Sequence, residues 1–152
     1  MSIESELCPS GDEKVQLFGL LLETNARLAR ELAGELESAC DLPLAWFEVL
    51  LQLRKSDDGR RKMNQIAEAI VHSSGGTTRL IDRIERAGLV RRENCPSDRR
   101  AIYVAITPEG NARLDHALQV HLDYLNRHLA VRLSEGERRE LTGLLHKLNA
   151  SG

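Results

Sequence analysis

Residues 73–110 read SSGGTTRLIDRIERAGLVRRENCPSDRRAIYVAITPEG, and this stretch decides the fold because it contains the signals of a helix and a hairpin in succession. The two serines that open it are good helix N-caps, and three aliphatic side chains then recur on one helix face. Gly88 lies where a C-cap glycine is expected, so the pattern predicts a helix from Ser73 to about Ala87. The residues predicted to face outward are Thr77, Thr78, Arg79, Asp82, Arg83 and Arg86.

A β-hairpin is predicted directly after this helix. The segments LVRRE and AIYVAIT have strand character, and they bracket the run NCPSDRR, which is rich in turn-forming residues and arginine. A polar, positively charged helix followed by a basic hairpin is the arrangement by which a winged helix-turn-helix holds duplex DNA. The helix is sized for the major groove, and the hairpin, or wing, can reach the flanking minor groove.

Apolar residues at three- and four-residue spacings predict helices before this stretch as well. The first is a long helix over residues 14–38, and Asp41 and Pro43 start a second helix. The segment KSDDGRR that follows is a solvated loop or a short strand, and Asn64 can cap a short third helix. Residues 71–73 would then form the tight turn of the helix-turn-helix.

Two further helices are predicted after the hairpin. Thr107 and Pro108 supply an N-cap and a first helical residue, and Ser134 with Glu137 matches the capping box that opens a final helix. The outer helices carry more apolar surface than a central unit of about 65 residues can cover, so we expect them to pair with a second protomer. The alternative is an intramolecular bundle that covers the winged unit.

These elements divide the chain into an N-terminal tail and dimerisation helix (residues 1–41), a winged helix-turn-helix (42–107) and C-terminal dimerisation helices (108–152). Charge follows a similar division. The net charge is −2, yet residues 42–106 contain 12 basic and 8 acidic side chains, against 9 and 15 in the remainder. A basic middle with acidic ends would orient the protein on a polyanion by its middle.

Several classes of protein are disfavoured. No run approaches the ~18 apolar residues of a membrane span, and the first residues lack a signal peptide pattern, so we expect a soluble cytoplasmic protein. Cys8, Cys40 and Cys95 are odd in number and far apart, which argues against a disulfide framework, and the histidines lack metal-ligand spacing. No arrangement of residues indicates catalysis, so we predict neither an enzyme nor a cofactor.

Three sequence marks occur in order: TTRLIDRIERAGLVRR, the wing-tip DRR at residues 98–100, and ITPEG at residues 106–110. With them, the chain from about Lys14 to Leu148 resembles the MarR (multiple-antibiotic-resistance regulator) family of bacterial transcription factors. The resemblance implies a symmetric dimer that places two recognition helices in successive major grooves, with a wing arginine in each minor groove. Many members of this family are repressors that a small phenolic or carboxylate ligand releases, and others sense oxidants through cysteine or bind metal.

Carried over residue by residue, the resemblance implies DNA contacts from the recognition helix and from the wing tip. The predicted DNA-binding residues are Ser73, Ser74, Gly75, Thr77, Thr78, Arg79, Arg83, Asp98, Arg99 and Arg100. Asp98 is expected to pair with an arginine and to hold its direction. Arg83 and Arg86 either contact phosphate or pair with the two acidic residues of the same helix.

The residues that would bind an effector are unknown from the sequence. Trp46 and Phe47 lie on a helix that could line a ligand cleft, although a core role fits them better. Oxidant-sensing relatives carry a cysteine within the first helix, whereas Cys8 precedes that helix, and Cys95 in the wing is interpreted as a surface thiol. We therefore predict a homodimeric DNA-binding repressor, acting on a pseudo-palindromic double-stranded operator and released by a small organic ligand. The alternatives are a regulator that senses oxidants through a cysteine, and a winged-helix assembly module without a DNA target.

Overall fold

The computed structural model describes residues 9–70 and 74–150, which form six α-helices and a small antiparallel sheet. The helices are α1 (Glu13–Cys40), α2 (Leu44–Arg54), α3 (Met63–Ala69), α4 (Ser74–Arg86), α5 (Pro108–Leu125) and α6 (Glu135–Asn149). The strands are β1 (Arg60–Lys62), β2 (Val90–Cys95) and β3 (Asp98–Ile106). A 3-10 turn at Pro9–Gly11 precedes α1, and a π-helical turn at Asn126–Ala130 continues α5. The predicted fold class, mainly helical with a hairpin wing, is confirmed.

The sheet has the strand order β1-β3-β2, and both pairs are antiparallel. β2 and β3 form the predicted hairpin, which pairs Val90 with Ile106 at its base. The turn itself contains only residues 96–97, because Cys95 still belongs to β2 and Asp98 already belongs to β3. The strands are therefore longer than the sequence indicated. Turn-forming and charged residues can continue a hairpin whose faces are open to solvent, so composition overestimates the length of the turn.

One hydrophobic core joins the C-terminal half of α1 to α2, α3, α4, the hairpin and α5. Its buried side chains are Leu32, Leu36, Leu42, Phe47, Val49, Leu50, Leu53, Ile66, Ile70, Ile81, Ile84, Leu89, Val90, Val104, Leu114, Ala117 and Tyr124. Trp46 packs half-buried against this cluster, so the core role expected for Trp46 and Phe47 is confirmed. Because α4 and both wing strands contribute to the same core, packing holds the predicted recognition helix and the wing together.

Several helix ends follow the predicted signals. The Thr107 hydroxyl accepts a hydrogen bond from the backbone N–H of Gly110 at 3.0 Å, and Ser134 forms the capping box of α6. Gly88 has φ of 81°, which favours glycine, and follows the end of α4. The backbone N–H groups of Gly88 and Leu89 donate to the carbonyls of Glu85 at 2.9 Å and Ile84 at 3.2 Å, which is the Schellman pattern.

Two predicted helix starts are wrong by a few residues. Asp41 ends α1 in the left-handed region, with φ of 51°, and the N-cap of α2 is Pro43. Asn64 lies inside α3, because the chain passes from β1 directly into that helix with Lys62 as the N-cap. The Lys62 backbone N–H donates to the side-chain oxygen of Gln65 at 3.1 Å. Both errors arose because Pro43 and Lys62 are not residue types whose side chains accept a hydrogen bond at a helix start, so the capping preferences of the sequence indicated neighbouring positions instead.

The terminal helices bury little surface within the protomer. α1 buries Leu32 and Leu36, and in the described part of the chain no residue of α6 is buried. The large exposed apolar residues of α1, of the end of α5, of α6 and of the segment between α5 and α6 are Val15, Leu17, Phe18, Leu20, Leu22, Leu122, Val131, Leu141, Leu144, Leu145 and Leu148. Among residues 9–70 and 74–150, no helix combines the length and the apolarity that crossing a membrane requires.

Candidate DNA-binding surface

The helix α4 separates into a buried and an exposed face. Ile81 and Ile84 are fully buried, as the sequence predicted. Thr77, which was predicted to face outward, is only 1% exposed, so that predicted orientation is wrong. Thr77 precedes Ile81 by four residues and therefore lies on the same helix face, a relationship that the sequence already contained. Within the described chain, its hydroxyl has no hydrogen-bond partner.

The opposite face of α4 carries three exposed arginines. Arg79, Arg83 and Arg86 follow one another at spacings of four and three, so they form a stripe along the helix. In the described ranges, none of them makes a hydrogen bond or an ion pair with protein. Thr78 is also exposed, whereas Ser73 lies outside the described residues and Ser74 begins the helix.

The two acidic residues of α4 have a partner that the sequence analysis missed. Arg92 of β2 donates to Glu85 through Nη1 at 2.7 Å and to Asp82 through Nη2 at 2.5 Å. The backbone N–H of Arg92 also donates to Glu85 at 2.7 Å. The expected alternative, in which Asp82 and Glu85 pair with arginines of their own helix, is therefore not observed. The alternation of side chains between the two faces of β2 could have indicated this role, since Arg92 shares a strand face with the buried Val90.

This ion cluster is half-buried. The side chain of Arg92 is 25% exposed, and those of Asp82 and Glu85 are 41% and 35% exposed. Desolvation alone would lower the pKa of Arg92, but the hydrogen bonds from the guanidinium to the two carboxylates outweigh it and raise the pKa. The guanidinium therefore remains charged at any physiological pH.

The wing tip presents two more exposed arginines. Arg99 and Arg100 follow Asp98 at the start of β3 and make no ion pair within the part of the chain that the structure describes. Asp98 does not pair with an arginine side chain as expected. Its carboxylate instead accepts the backbone N–H of Arg100 at 2.9 Å, which fixes the local backbone and not the guanidinium. We refer to Arg79, Arg83, Arg86, Arg99 and Arg100 together as the arginine surface.

Cys95 occupies the base of the wing turn. It is 7% exposed, so the interpretation as a surface thiol is wrong. Its Sγ lies 3.2 Å from the Ser97 hydroxyl, and hydrogen bonds from Ser97 lower the pKa of the thiol. The bulge next to the tip turns this side chain inward, a local shift of register that alternation alone does not predict.

Arginines on the outer face of the sheet differ from the arginine surface because they have acidic partners. Arg60 donates to Asp58 at 2.7 Å and contacts Glu93 at 3.4 Å, and its guanidinium lies 5.1 Å from the centre of the Tyr103 ring. Arg91 donates to Glu93 at 2.9 Å. Among the arginines of α4 and of the β2–β3 hairpin, those without an acidic partner in the described ranges are therefore the ones on the outer face of α4 and at the wing tip.

Polar contacts connect the winged unit to the outer helices. We refer to residues 44–106 as the reading head and to α1 and α6 as the terminal helices, while α5 packs against both α1 and the reading head. Arg54 at the end of α2 donates to Asn111 at 2.8 Å and to Asp115 at 2.9 Å. Arg113 of α5 donates to the backbone carbonyl of Cys40 at 3.1 Å, at the end of α1. Arg54 therefore joins the reading head to α5, and Arg113 joins α5 to α1.

A cavity of about 210 Å³ lies where α1, α2 and α5 meet. It is lined by Asn25, Leu28, Ala29, Leu32, Leu44, Glu48, His121, Tyr124 and Leu125. His121 packs against Phe47, with ring centres 5.2 Å apart, and burial lowers its pKa. Its buried Nδ1 has no protein partner in the described ranges. In the same ranges, no three His, Cys, Asp or Glu side chains are arranged to hold a metal ion.

This architecture is similar to that of known proteins. A model described as the MarR family matches residues 41–101. AbsC, a MarR family transcriptional regulator from Streptomyces coelicolor, has 30% sequence identity and a TM-score of 0.80, over 91% of this chain and 93% of AbsC. A mutant MarR from E. coli complexed with operator DNA has 28% identity and a TM-score of 0.77, over 90% and 95% of the two chains.

A curated relative gives the same classification. YkoM, an uncharacterized HTH-type transcriptional regulator of Bacillus subtilis, is 36% identical over 89 residues, which is 59% of this chain and 57% of YkoM. The chain thus spans less than two thirds of that relative. The similarity to AbsC extends over nearly the whole of both proteins, and the chain therefore belongs to the MarR family of transcriptional regulators. It is a regulator and not an enzyme, as predicted.

Proposed function

We propose that two copies of this chain form a dimer that binds a pseudo-palindromic DNA operator and represses transcription until a small organic ligand releases it. The observation that carries DNA binding is the arginine surface. Five arginines lie exposed on α4 and the wing tip, while Arg60 and Arg91 on the neighbouring sheet face are neutralised by acidic partners. Unneutralised guanidinium groups on a helix and a wing fit the phosphates and grooves of a duplex.

In this proposal α4 enters the major groove and the wing enters the adjacent minor groove. The proposed DNA-binding residues are Ser73, Ser74, Gly75, Thr78, Arg79, Arg83, Arg86, Arg99 and Arg100, with Asp98 holding the backbone of the tip. Thr77 is left out because it is buried. The similarity to the E. coli MarR that was solved with operator DNA supports this orientation.

Dimerisation is supported by the terminal helices. A helix of 15 residues is marginal in water unless an apolar face is packed, yet the leucines of α6 are exposed in the protomer. The exposed apolar residues of α1 lie at the other end of the chain. A second copy would cover both sets at once, and its two-fold axis would match a pseudo-palindromic operator.

The cavity between α1, α2 and α5 is the proposed effector site. Its lining is mostly aliphatic, with a few polar groups that could orient a small molecule. The helices that line the cavity are the same three that Arg54 and Arg113 link by hydrogen bonds, so a ligand that changes the packing of these helices can change the position of the reading head. Release requires the ligand to prefer the non-binding arrangement, by ~10⁴-fold for a reversal from 99:1 to 1:99.

A mobility-shift titration of genomic fragments at two salt concentrations tests the proposal. We expect operator half-sites centred about 10 bp apart and a log K that falls by ~0.9 per neutralised phosphate for each unit of log salt. Footprinting that shows one asymmetric half-site contradicts the dimeric arrangement. Binding that does not change with salt, or no binding to any duplex, favours an assembly module instead.

A further inference from the structure

The ion cluster between β2 and α4 is not required to form the corner at which these two elements meet. That corner is already fixed by the Schellman bonds at Gly88 and by the burial of Ile84, Leu89 and Val90. Arg92 lies beyond the corner, seven residues from Glu85 and ten from Asp82. Its three hydrogen bonds therefore join the body of the helix to the body of the strand and restrict rotation of α4 about the glycine corner.

The clamped face of α4 is also the face that carries Thr78. Thr78, Asp82 and Glu85 follow one another at spacings of four and three, so they lie on one side of the helix. Holding both carboxylates thus sets the direction in which Thr78 points. It also keeps the acids away from Arg79 and Arg86, which lie three residues before and four residues after Asp82 and could otherwise pair with it.

We propose that Arg92 is a positioning residue for DNA recognition, which fixes the angle between the recognition helix and the wing so that major-groove and minor-groove contacts occur together on one duplex. This inference rests on the proposed function. A guanidinium suits the role because it binds two carboxylates through a planar set of donors, whereas an ammonium provides a single point of charge. Arg92 itself contacts no DNA in this arrangement.

The first test compares Arg92→Met with Arg91→Met. Both variants remove one positive charge from β2, but Arg91 is exposed and binds only Glu93. The probe is a duplex that the wild-type protein selects from a random library, and a scrambled duplex serves as reference. We expect Arg92→Met to lower the ratio of selected to scrambled affinity about tenfold, the discrimination given by one well-placed base contact. The ratio for Arg91→Met should stay within about twofold of wild type, since exposed ion pairs contribute little.

A conservative variant separates positioning from charge. Arg92→Lys keeps the positive charge but not the planar set of donors, so the ratio should remain well below that of wild type. If Arg92 instead contacts a phosphate, Arg92→Met lowers both affinities by the same factor and reduces the salt slope by ~0.9. That outcome, or full recovery of the ratio by lysine, overturns the positioning role.

A double variant keeps the test valid if Arg92→Met does not fold. Asp82→Asn with Glu85→Gln retains side-chain shape and removes two negative charges from the helix that faces DNA. Charge alone predicts tighter binding to every duplex with the ratio unchanged. We expect tighter binding to scrambled DNA together with a ratio that falls about tenfold, as for one misplaced base contact. An unchanged ratio overturns the inference alone, whereas a wild type that selects no duplex overturns the proposed function and this inference with it.

Discussion

The reading head and the terminal helices follow the same apolar periodicity, but they complete their packing differently. In the reading head, Ile81 and Ile84 of α4 are fully buried by the protomer's own α-helices and wing. In α6, Leu145 and Leu148 occupy equally regular positions and remain 40% and 67% exposed. Periodicity thus states that a helix face will be buried, but it does not state which chain covers it. One protomer covers the apolar face of its own α4, while the leucines of α6 have no covering surface within it.

The largest expected effect is loss of the proposed dimer through a substitution in the terminal helix α6. Leu145→Asp would place a carboxylate in the apolar interface of the proposed dimer, at a cost of several kcal/mol. Sedimentation should show a monomer, and operator affinity should fall because each half-site binds weakly alone. Gly143→Asp is the matched control, since nothing lies within 4 Å of an added Cβ there. A folded Leu145→Asp protein that remains dimeric would mean that the exposed leucines are not the interface.

Substitutions at two glycines, one beside the reading head and one in α6, should change the free energy of unfolding in opposite directions. A Cβ added to Gly110 would lie 2.1 Å from the backbone oxygen of Leu89, where α5 meets the reading head. Gly110→Ala should therefore lower the free energy of unfolding by about 1–3 kcal/mol. Gly143→Ala in α6 meets open space and should stabilise by up to ~1 kcal/mol through helix propensity. Denaturant titrations measure both, and equal effects would contradict the difference in packing between the regions.

Within the reading head, substitutions in α4 and in the wing should change DNA binding in different ways. Arg100→Ala should weaken binding to every duplex and reduce the dependence on flanking A·T content, because the wing senses groove width and potential. Thr78→Ala should relax the preference at one or two base positions, by about 1–3 kcal/mol for each good contact that is lost, with non-specific affinity nearly unchanged. Competition binding with matched and scrambled duplexes measures both effects. Wild-type behaviour in both variants would show that this surface does not read DNA.

A smaller effect concerns His121, where the reading head meets α5. Burial lowers its pKa, so the folded state disfavours the protonated ring. The protein should therefore be fully stable above the unfolded pKa of about 6.5 and lose stability as the pH falls through that value toward the folded pKa. In thermal melts from neutral to mildly acidic pH, the melting temperature of His121→Asn should therefore fall less than that of the wild type. His116→Asn, at an exposed position of the same helix, is the control and should melt with the pH dependence of wild type.

The sequence predicted the helices, the hairpin and the arginines of the surface because each depends on local spacing or composition. Thr77 was misassigned because helix polarity was judged by residue type, although its distance from Ile81 places it on the buried face. Arg92 was missed because its partners lie seven and ten residues away on another element. The spacing rules for ion pairs within a helix favoured Arg83 and Arg86 as partners of the two acidic residues. Arg92 comes within reach of these acids only because the chain turns at the corner between α4 and β2 and packs the strand beside the helix.

The smallest expected effect is that of the cysteines. Cys95 is buried at the wing turn, and burial raises the pKa of the Cys40 thiol, which disfavours its reactive thiolate. The lowered pKa of Cys95 favours reactivity, but its side chain is only 7% exposed, and oxidation requires access. We expect the combined replacement of Cys8, Cys40 and Cys95 by serine to leave operator affinity and its regulation unchanged, and chelators to have no effect. Mobility shifts with and without mild peroxide test this. If peroxide releases the wild type but not the triple variant, the regulator senses oxidants, and the single Cys95→Ser variant then shows whether the wing or a terminal region responds.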